Sequence, residues 1–574
     1  MYKHRDNMDN QDYATEKTAL LGSSGGKDQA ERSNPRTKLT VAAILLCELC
    51  ERLTYYSIVA NMVLFATNVL GYSSVDAVTI NLIFTGTVYF IPLFGGYIAD
   101  SVAGRFNTIW GSGLIYIVGT LMLPLVAFDW QGTFGRDDNG LNYGLDQSAK
   151  RGYYIIGLIL IAIGTGGIKA NVSPFGVQQL EDMGPQAVQS FFNWFYWFIN
   201  VGSAIAYAAV AYIQQNIAFD IGYLIPALSM VLATIIVLVP RNKYTHTAPE
   251  GSALARVIEI IWAALKRKKH SIMQHDSFLD YALESNGGRY SAIEIEGVKS
   301  LGRMIPVFLT LILYWTIYNQ MQTTFLLQGE RMDLRLGSFI FPAASLSLFN
   351  TIIIIILVPI VDRFFYPLLE RCGRKITLLQ RIGIGLLLAP CSVFVAGFLE
   401  IARKDELANS GGIEQNVGGK IYNASNLNIM LQVPQFVLVG TSEVFAAISA
   451  YEFAYSQAPV SLQGVVMGVN LATTGLGSYV GTLLVNIVNA ASNGSWYPDE
   501  LNTGNIENFL FLMSGLGVVN FLIFLPVAMR YRYARFSELQ SETSGLDLRK
   551  SNGTIDNTSD LYSSLGQGSN EIRL

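Results

Sequence analysis

Histidine is scarce in this chain. Its four copies in 574 residues, His4, His246, His270 and His275, all lie outside the apolar stretches. That excludes a histidine-built metal site or proton relay inside those stretches and leaves proton chemistry to carboxylates. Cysteine is equally rare, and its four copies give no disulfide framework. Cys47 and Cys50 have the C-x-x-C spacing of a redox pair, but they flank Glu48 within an apolar run and read as small buried residues. Charge is thin as well: 14% of residues are charged and the net charge is -4, which argues against nucleic acid as a partner. No soluble catalytic arrangement is present, so an enzyme is not expected. No apolar core of a cleavable signal peptide precedes Leu39.

What the chain has in excess is apolar length. It is 51% hydrophobic, beyond an ordinary soluble domain, and the lipid bilayer is its expected surrounding. Spans are expected at 39–69, 76–99, 107–128, 153–175, 190–213 and 219–240, then at 303–328, 339–368, 376–400, 427–457, 461–490 and 507–530. The fold class is therefore an all-α membrane protein of twelve transmembrane helices in two six-helix bundles. The expected domains are a cytosolic tail (1–38), a first bundle (39–240), a cytosolic linker (241–300), a second bundle (301–530) and a cytosolic tail (531–574). Six plus six spans around a polar middle suggests repeated bundles working by alternating access, which fits better than a channel.

Basic residues at the span ends set the orientation. Arg36, Lys38, Arg105, Arg241, Lys243, the Lys266–Lys269 cluster, Arg371, Arg374, Lys375, Arg530, Arg532 and Arg535 all fall on one side. That side, with both termini, is expected to be cytosolic. The other side carries the glycosylation sequons at Asn423 and Asn493. In the N-terminal tail, Glu16 with Leu20 and Leu21 fits the acidic dileucine pattern that sorting adaptors read. In the linker, Ala253–Lys269 carries Leu254, Val257, Ile258, Ile261 and Leu265 and ends in four basic residues. It reads as an amphipathic helix on the anionic leaflet tying the halves together, or as a solvated linker helix.

The costly residues are those inside the spans. Glu48, Glu51 and Arg52 share one helix face at i, i+3 and i+4. Insertion scales put a single mid-membrane charge at about 2.5–3.5 kcal/mol, so this stripe must face protein or water. Lys169 lies in span 4. Tyr314, Trp315, Tyr318, Asn319, Gln320 and Gln322 lie in span 7, and Glu443 and Glu452 in span 10. Spans 1, 4, 7 and 10 hold equivalent places if each bundle is a pair of three-helix repeats, so these residues are expected to line one cavity. A Glu51–Lys169 pair there would act as a proton switch, since protonating the carboxylate removes its hold on the ammonium.

The motifs also resemble a known family. Glu48-x-x-Glu51-Arg52 with Tyr55-Tyr56 is similar to the signature of the proton-coupled oligopeptide transporters, solute carrier family 15 of the major facilitator superfamily. Gly95–Arg105 resembles their helix 2–3 motif, Phe191–Gly202 the first family signature and Glu452–Pro459 the second. Ala211–Asn216 and Gln320–Thr324 look most like the lysosomal peptide/histidine branch. The resemblance implies the major facilitator fold and export of histidine and di- or tripeptides from an endosomal or lysosomal lumen. It implies no cofactor, the proton serving as coupling ion. It assigns Glu48, Glu51, Arg52 and Lys169 to proton coupling, Glu443 to the substrate amine, and Tyr56, Asn200, Trp315, Gln320 and Asn350 to the pocket.

Three departures bear on substrate. The second span 1 arginine of many bacterial peptide carriers is Val59 here. The helix 2 histidine of the animal plasma-membrane carriers is absent, and roughly 401–426 replaces their large domain between helices 9 and 10. All three fit the peptide/histidine branch. The alternatives are a nitrate or other small-anion carrier on the same scaffold, or a membrane scaffold that recruits a cytosolic signalling adaptor.

Overall fold

The apolar runs fold as long helices because each can satisfy its backbone polar groups internally, the condition for crossing a bilayer. The computed structural model describes residues 35–130, 145–246, 249, 251–269, 277–459 and 462–533. Glu16, Leu20 and Leu21 lie outside them. Among the described residues, eleven helices are long and apolar enough to span: Ser74–Ala103, Arg105–Ala127, Gln147–Gln178, Gln186–Asn216, Phe219–Lys243, Ala292–Gly329, Ala343–Arg371, Leu378–Ser410, Ile429–Ser456, Gln463–Ala491 and Ile506–Arg530. These are spans 2 to 12. Span 1 is Pro35–Ala60, continued by Met62–Asn68 after a break at Asn61. It stands apart because three charges interrupt its apolar character.

Each expected span is therefore helical over most of its length, except that Phe339–Ile340, the expected start of span 8, is a short strand paired with Arg335–Leu336 and the helix begins at Ala343. The largest boundary shifts are in span 7, which starts before 303, and span 9, which runs past 400; both extend as polar helix beyond the apolar core. Residues 401–426, expected only as a connection, hold the last turns of span 9 and an antiparallel hairpin, Ile413–Val417 with Lys420–Ala424. Apolar side chains such as Leu224, Leu228 and Leu232 on span 6 and Ile352, Ile355 and Ile356 on span 8 are exposed, as a lipid-facing surface requires. Small residues let helices approach inside each bundle. A Cβ on Gly95 of span 2 would lie 2.5 Å from the Gly166 carbonyl oxygen of span 4.

The two bundles meet mainly on the face that carries the hairpin. There Asn68 donates to the Val417 carbonyl (2.8 Å) and the Tyr422 hydroxyl donates to Asn68. Ser74 N–H donates to Asp499 (2.9 Å), Asn216 to the Ile340 carbonyl (3.2 Å), and the Tyr212 and Phe339 rings stack at 5.4 Å. On the opposite face, that of the linker helix Ala253–Lys268, the bundles part. Gly251 N–H donates to the Asp100 carbonyl there (3.1 Å).

Candidate functional site

The parting of the bundles leaves a cavity of about 860 Å³. Glu48 and Arg52 from span 1, Lys169 from span 4, Phe195 and Ile199 from span 5, and Tyr451 from span 10 line it. Asp100, Arg105 and the linker residues Gly251 and Ser252 stand at its mouth.

Span 1 places the charges. Arg52 contacts both carboxylates of its own helix, Glu48 at 2.8 Å and Glu51 at 2.6 Å, and all three side chains are buried. The carboxylates are close enough to repel, and the shared guanidinium offsets that. Span 5 can come close enough to hold this arrangement only because residue 202 is glycine. A Cβ there would lie 2.8 Å from the Leu49 carbonyl oxygen and 3.0 Å from the Arg52 Cβ.

Lys169 departs from expectation. It does not pair with Glu51: among the described residues its Nζ has neither an ion pair nor a hydrogen bond. It sits instead over the Tyr89 ring at 3.6 Å and faces the Tyr55 ring at 4.8 Å, a cation–π cradle. The reason is local. Arg52, on the same helix as both carboxylates, already holds each of them at contact distance, which leaves the ammonium to the aromatic faces. Tyr89 was not anticipated from the sequence, where nothing sets it apart from Asn81, Thr85 and Tyr97 of the same span.

In the second bundle, Glu443 is a half-buried carboxylate with no ion pair among the described residues. Asn350 of span 8 donates to Glu443 of span 10 at 3.2 Å, and the Tyr318 hydroxyl of span 7 also hydrogen-bonds it. Trp315 packs against Tyr318, ring centroids 5.1 Å apart. Tyr56 on span 1 meets the Tyr207 ring at 5.6 Å, and a π-helical turn at Ala206–Val210 carries Tyr207. Asn200 is half-buried and donates to the Tyr196 carbonyl in its own helix (2.8 Å).

Gln320 plays a different part. Span 7 breaks into a 3-10 turn at Asn319–Gln322. Gln320 is fully buried, donates to the Thr316 carbonyl (3.1 Å) and accepts from Thr324 (2.6 Å), so its polar groups are spent mending that break. Glu452, the other acidic residue of span 10, is exposed and paired with Arg381 at 3.4 Å, outside the cavity.

Two helical bundles with a one-sided cavity, ionisable groups on one wall and, in the other bundle, the half-buried Glu443 without an ion pair among the described residues, describe a carrier. The chain matches the PTR2 profile, described as the POT family, over residues 106–499. It is 33% identical over 542 residues to Protein NRT1/ PTR FAMILY 8.1 of Arabidopsis thaliana, covering 86% of this chain and 93% of that one. The chain belongs to the POT family. To solute carrier family 15 member 3 of Rattus norvegicus it is 31% identical over 541 residues, covering 87% and 92%. Among solved structures it is similar to the POT family transporter PepTSo, with a TM-score of 0.69 and 24% identity over 86% of this chain and 98% of that one. POT members are transporters and not enzymes, and the fold resemblance read from Glu48–Arg52 and the span 5 and span 10 motifs stands with them.

Proposed function

We propose that this POT-family chain is a proton-coupled symporter that moves histidine and di- or tripeptides from an acidic endosomal or lysosomal lumen to the cytosol. The observation that carries the reading is the division of charge between the two bundles. Glu48, Glu51, Arg52 and Lys169 sum to no net charge in the first bundle, while Glu443 in the second, set back from the cavity lining, has no ion pair among the described residues. A substrate with an amino or imidazolium group has a partner in Glu443, and its carboxylate has one in Lys169, whose ammonium has no ion pair among the described residues. The closed hairpin face is then the lumenal side and the open linker face the cytosolic one, with Asn423 and Asn493 lumenal.

Protons enter through the clamp that Arg52 forms with Glu48 and Glu51. Protonating Glu51 loosens its hold on Arg52 and frees guanidinium donors. Closing the cavity requires a different pairing of Arg52 and Lys169, so a proton from the lumen biases the conformational equilibrium through differential affinity. No cofactor is needed. The address rests on Glu16, Leu20 and Leu21, read by a sorting adaptor; replacing both leucines with alanine sends a tagged protein to the cell surface, and retention on lysosomes rejects the motif.

The free ammonium of Lys169 also favours a second reading, a small-anion carrier. Proteoliposomes decide between them. Labelled histidine and a dipeptide accumulate only with an inward proton gradient if the first reading holds. Nitrate uptake faster than either would establish the second.

A further inference from the structure

The π-helical turn of span 5, Ala206–Val210, has its backbone completed by the other bundle. A π turn holds one residue more than an α turn, so the hydrogen-bond ladder around it leaves one carbonyl over. Ala211 N–H reaches back to the Ala206 carbonyl, and the next carbonyl, that of Tyr207, accepts from the Ser345 hydroxyl at 2.6 Å. Tyr207 and Ser345 are both buried. Span 2 repeats the pattern in its π turn Ala99–Ala103. Gly104 N–H reaches back to Ala99, and the next carbonyl, that of Asp100, accepts from Gly251 of the linker. A surplus carbonyl in apolar surroundings requires a donor, so each turn depends on a contact from outside its own helix.

Ser345 sits where the bundles meet. It belongs to the short turn Ala343–Leu346 that starts span 8, and Ala343 N–H of the same turn donates to Gln215 of span 5 (3.0 Å). The Tyr207 side chain bridges the same boundary, packing on Tyr56 of span 1 and accepting from Gln322 of span 7 (3.3 Å). Parting the bundles on the hairpin face withdraws the Ser345 hydroxyl. Closing the turn to α then removes the surplus carbonyl, and turns one half of span 5 against the other by one residue's worth, about 100° and 1.5 Å. Gly202 lies just before the turn and fits against Leu49 and Arg52 only because it has no side chain. Turning that half brings a larger residue to span 1 in its place.

We propose that Ser345 is a positioning residue for the transport cycle. Its hydroxyl holds the π turn of span 5 while the hairpin face is closed, and its withdrawal lets the turn close to α and displaces Arg52 from Glu48 and Glu51. In the alternating-access cycle on which this rests, opening of the lumenal face is thereby linked to release of the proton clamp.

The test uses the full chain in nanodiscs, in a Cys372→Ser, Cys391→Ser background. Nitroxides at Ile217→Cys and Leu336→Cys, exposed residues of opposite bundles, give close pairs when the hairpin face is shut and distant pairs when it is open. Ser345→Ala should raise the ratio of distant to close pairs about tenfold at matched pH, the weight of one hydrogen bond. Ser345→Thr, which keeps the hydroxyl, should restore the ratio. In a separate sample, a nitroxide at Trp197→Cys starts exposed and roughly opposite the cavity-lining Phe195 and Ile199. It should lose oxygen collisions under the conditions that give distant pairs, because the cytosolic half of span 5 turns. Deleting Ala208, an exposed residue of the turn, makes span 5 a plain α-helix with no carbonyl over. That variant should hold close pairs at every pH and lose both exchange and driven uptake. An unchanged ratio in Ser345→Ala, or a Trp197 label equally open to oxygen in both states, overturns the proposal, as does a deletion variant that switches and transports like the parent. Should the deletion variant not fold, the Ser345 variants and the Trp197 label decide alone. A parent chain that never gives distant pairs overturns the alternating-access cycle and the proposal with it. Ser345-dependent switching in a chain that moves neither histidine nor dipeptide rejects the substrate reading and still supports the role of the turn.

Discussion

Gly202→Ala is the smallest change that reaches the centre of the site. The added methyl would lie 2.8 Å from the Leu49 carbonyl oxygen, 3.0 Å from the Arg52 Cβ and 3.1 Å from the Leu53 nitrogen. Two of those atoms are backbone, so no side-chain rotation relieves the contact. Ordinary carbon contacts lie at about 3.5–4.0 Å, and spans 1 and 5 must therefore separate by at least roughly 0.5 Å. Overpacking of this kind costs about 1–3 kcal/mol, and the displaced element is the one that holds Arg52 against Glu48 and Glu51. The expected result is a thermal midpoint in detergent lowered by a few degrees and gradient-driven uptake reduced several-fold at matched protein level. Gly111→Ala is the control: nothing lies within 4 Å of its added methyl, so it gains about 1 kcal/mol of helix propensity and keeps transport. If Gly202→Ala unfolds and transports like the parent chain, the close approach of span 5 does not position the clamp.

Arg52→Gln leaves Glu48 and Glu51 buried without their counter-ion; breaking such a cluster costs about 3–5 kcal/mol. Size-exclusion profiles should show loss of the monodisperse peak, recovered without transport when both carboxylates are also changed to Gln, and a well-folded single variant would contradict the clamp. Glu330, just past the end of span 7, is buried against Arg331 at 2.9 Å, with Lys420 and Glu500 nearby, and burial raises its carboxyl from 4.5 to about 7. The folded state therefore binds this proton more tightly than the unfolded one, and stability is gained as pH falls through about 7 and complete below about 4.5, up to roughly 3 kcal/mol. Glu330→Gln should flatten that slope, melting above the parent at pH 8 and level with it at pH 4.5; unchanged pH dependence refutes the assignment. Asn423→Gln and Asn493→Gln should each remove one glycan, read as a gel shift, because both residues are exposed on the hairpin face; an orientation with these residues cytosolic yields no glycan on either.

The spans were legible because a bilayer demands long uninterrupted apolar helices, and the exception proved informative. Glu48, Glu51 and Arg52 announced the site by being intolerable anywhere else in span 1. The sequence also pointed to Asn350 and Glu443, which contact each other across spans 8 and 10. Their proximity depends on helix packing that no single-chain periodicity reports. The partner of Lys169 was misread for the same reason. Charge alone favours a Glu51–Lys169 pair, but choosing between Arg52 and Lys169 requires knowing how spans 1, 2 and 4 rotate about their axes. Gln320 was indistinguishable from a pocket residue until the break at Asn319–Gln322 showed which backbone groups needed it. The linker helix was readable as amphipathic, but telling Val257, Ile260 and Ala264, which pack on the second bundle, from the exposed Ile258, Trp262 and Leu265 required the packed face to be seen.

The central claim is that the two bundles divide the work, span 1 carrying the proton and Glu443 the substrate. It is tested most directly by measuring histidine or dipeptide flux in proteoliposomes in two modes, gradient-driven accumulation and gradient-free exchange, for Glu51→Gln and Glu443→Gln. Glu51→Gln mimics permanent protonation and should lose driven accumulation while retaining exchange. Glu443→Gln loses a charge-assisted hydrogen bond of about 1.5–3 kcal/mol, and should weaken apparent affinity roughly ten- to a hundredfold in both modes. Full proton-driven accumulation by Glu51→Gln, or exchange with unchanged affinity by Glu443→Gln, would contradict the account.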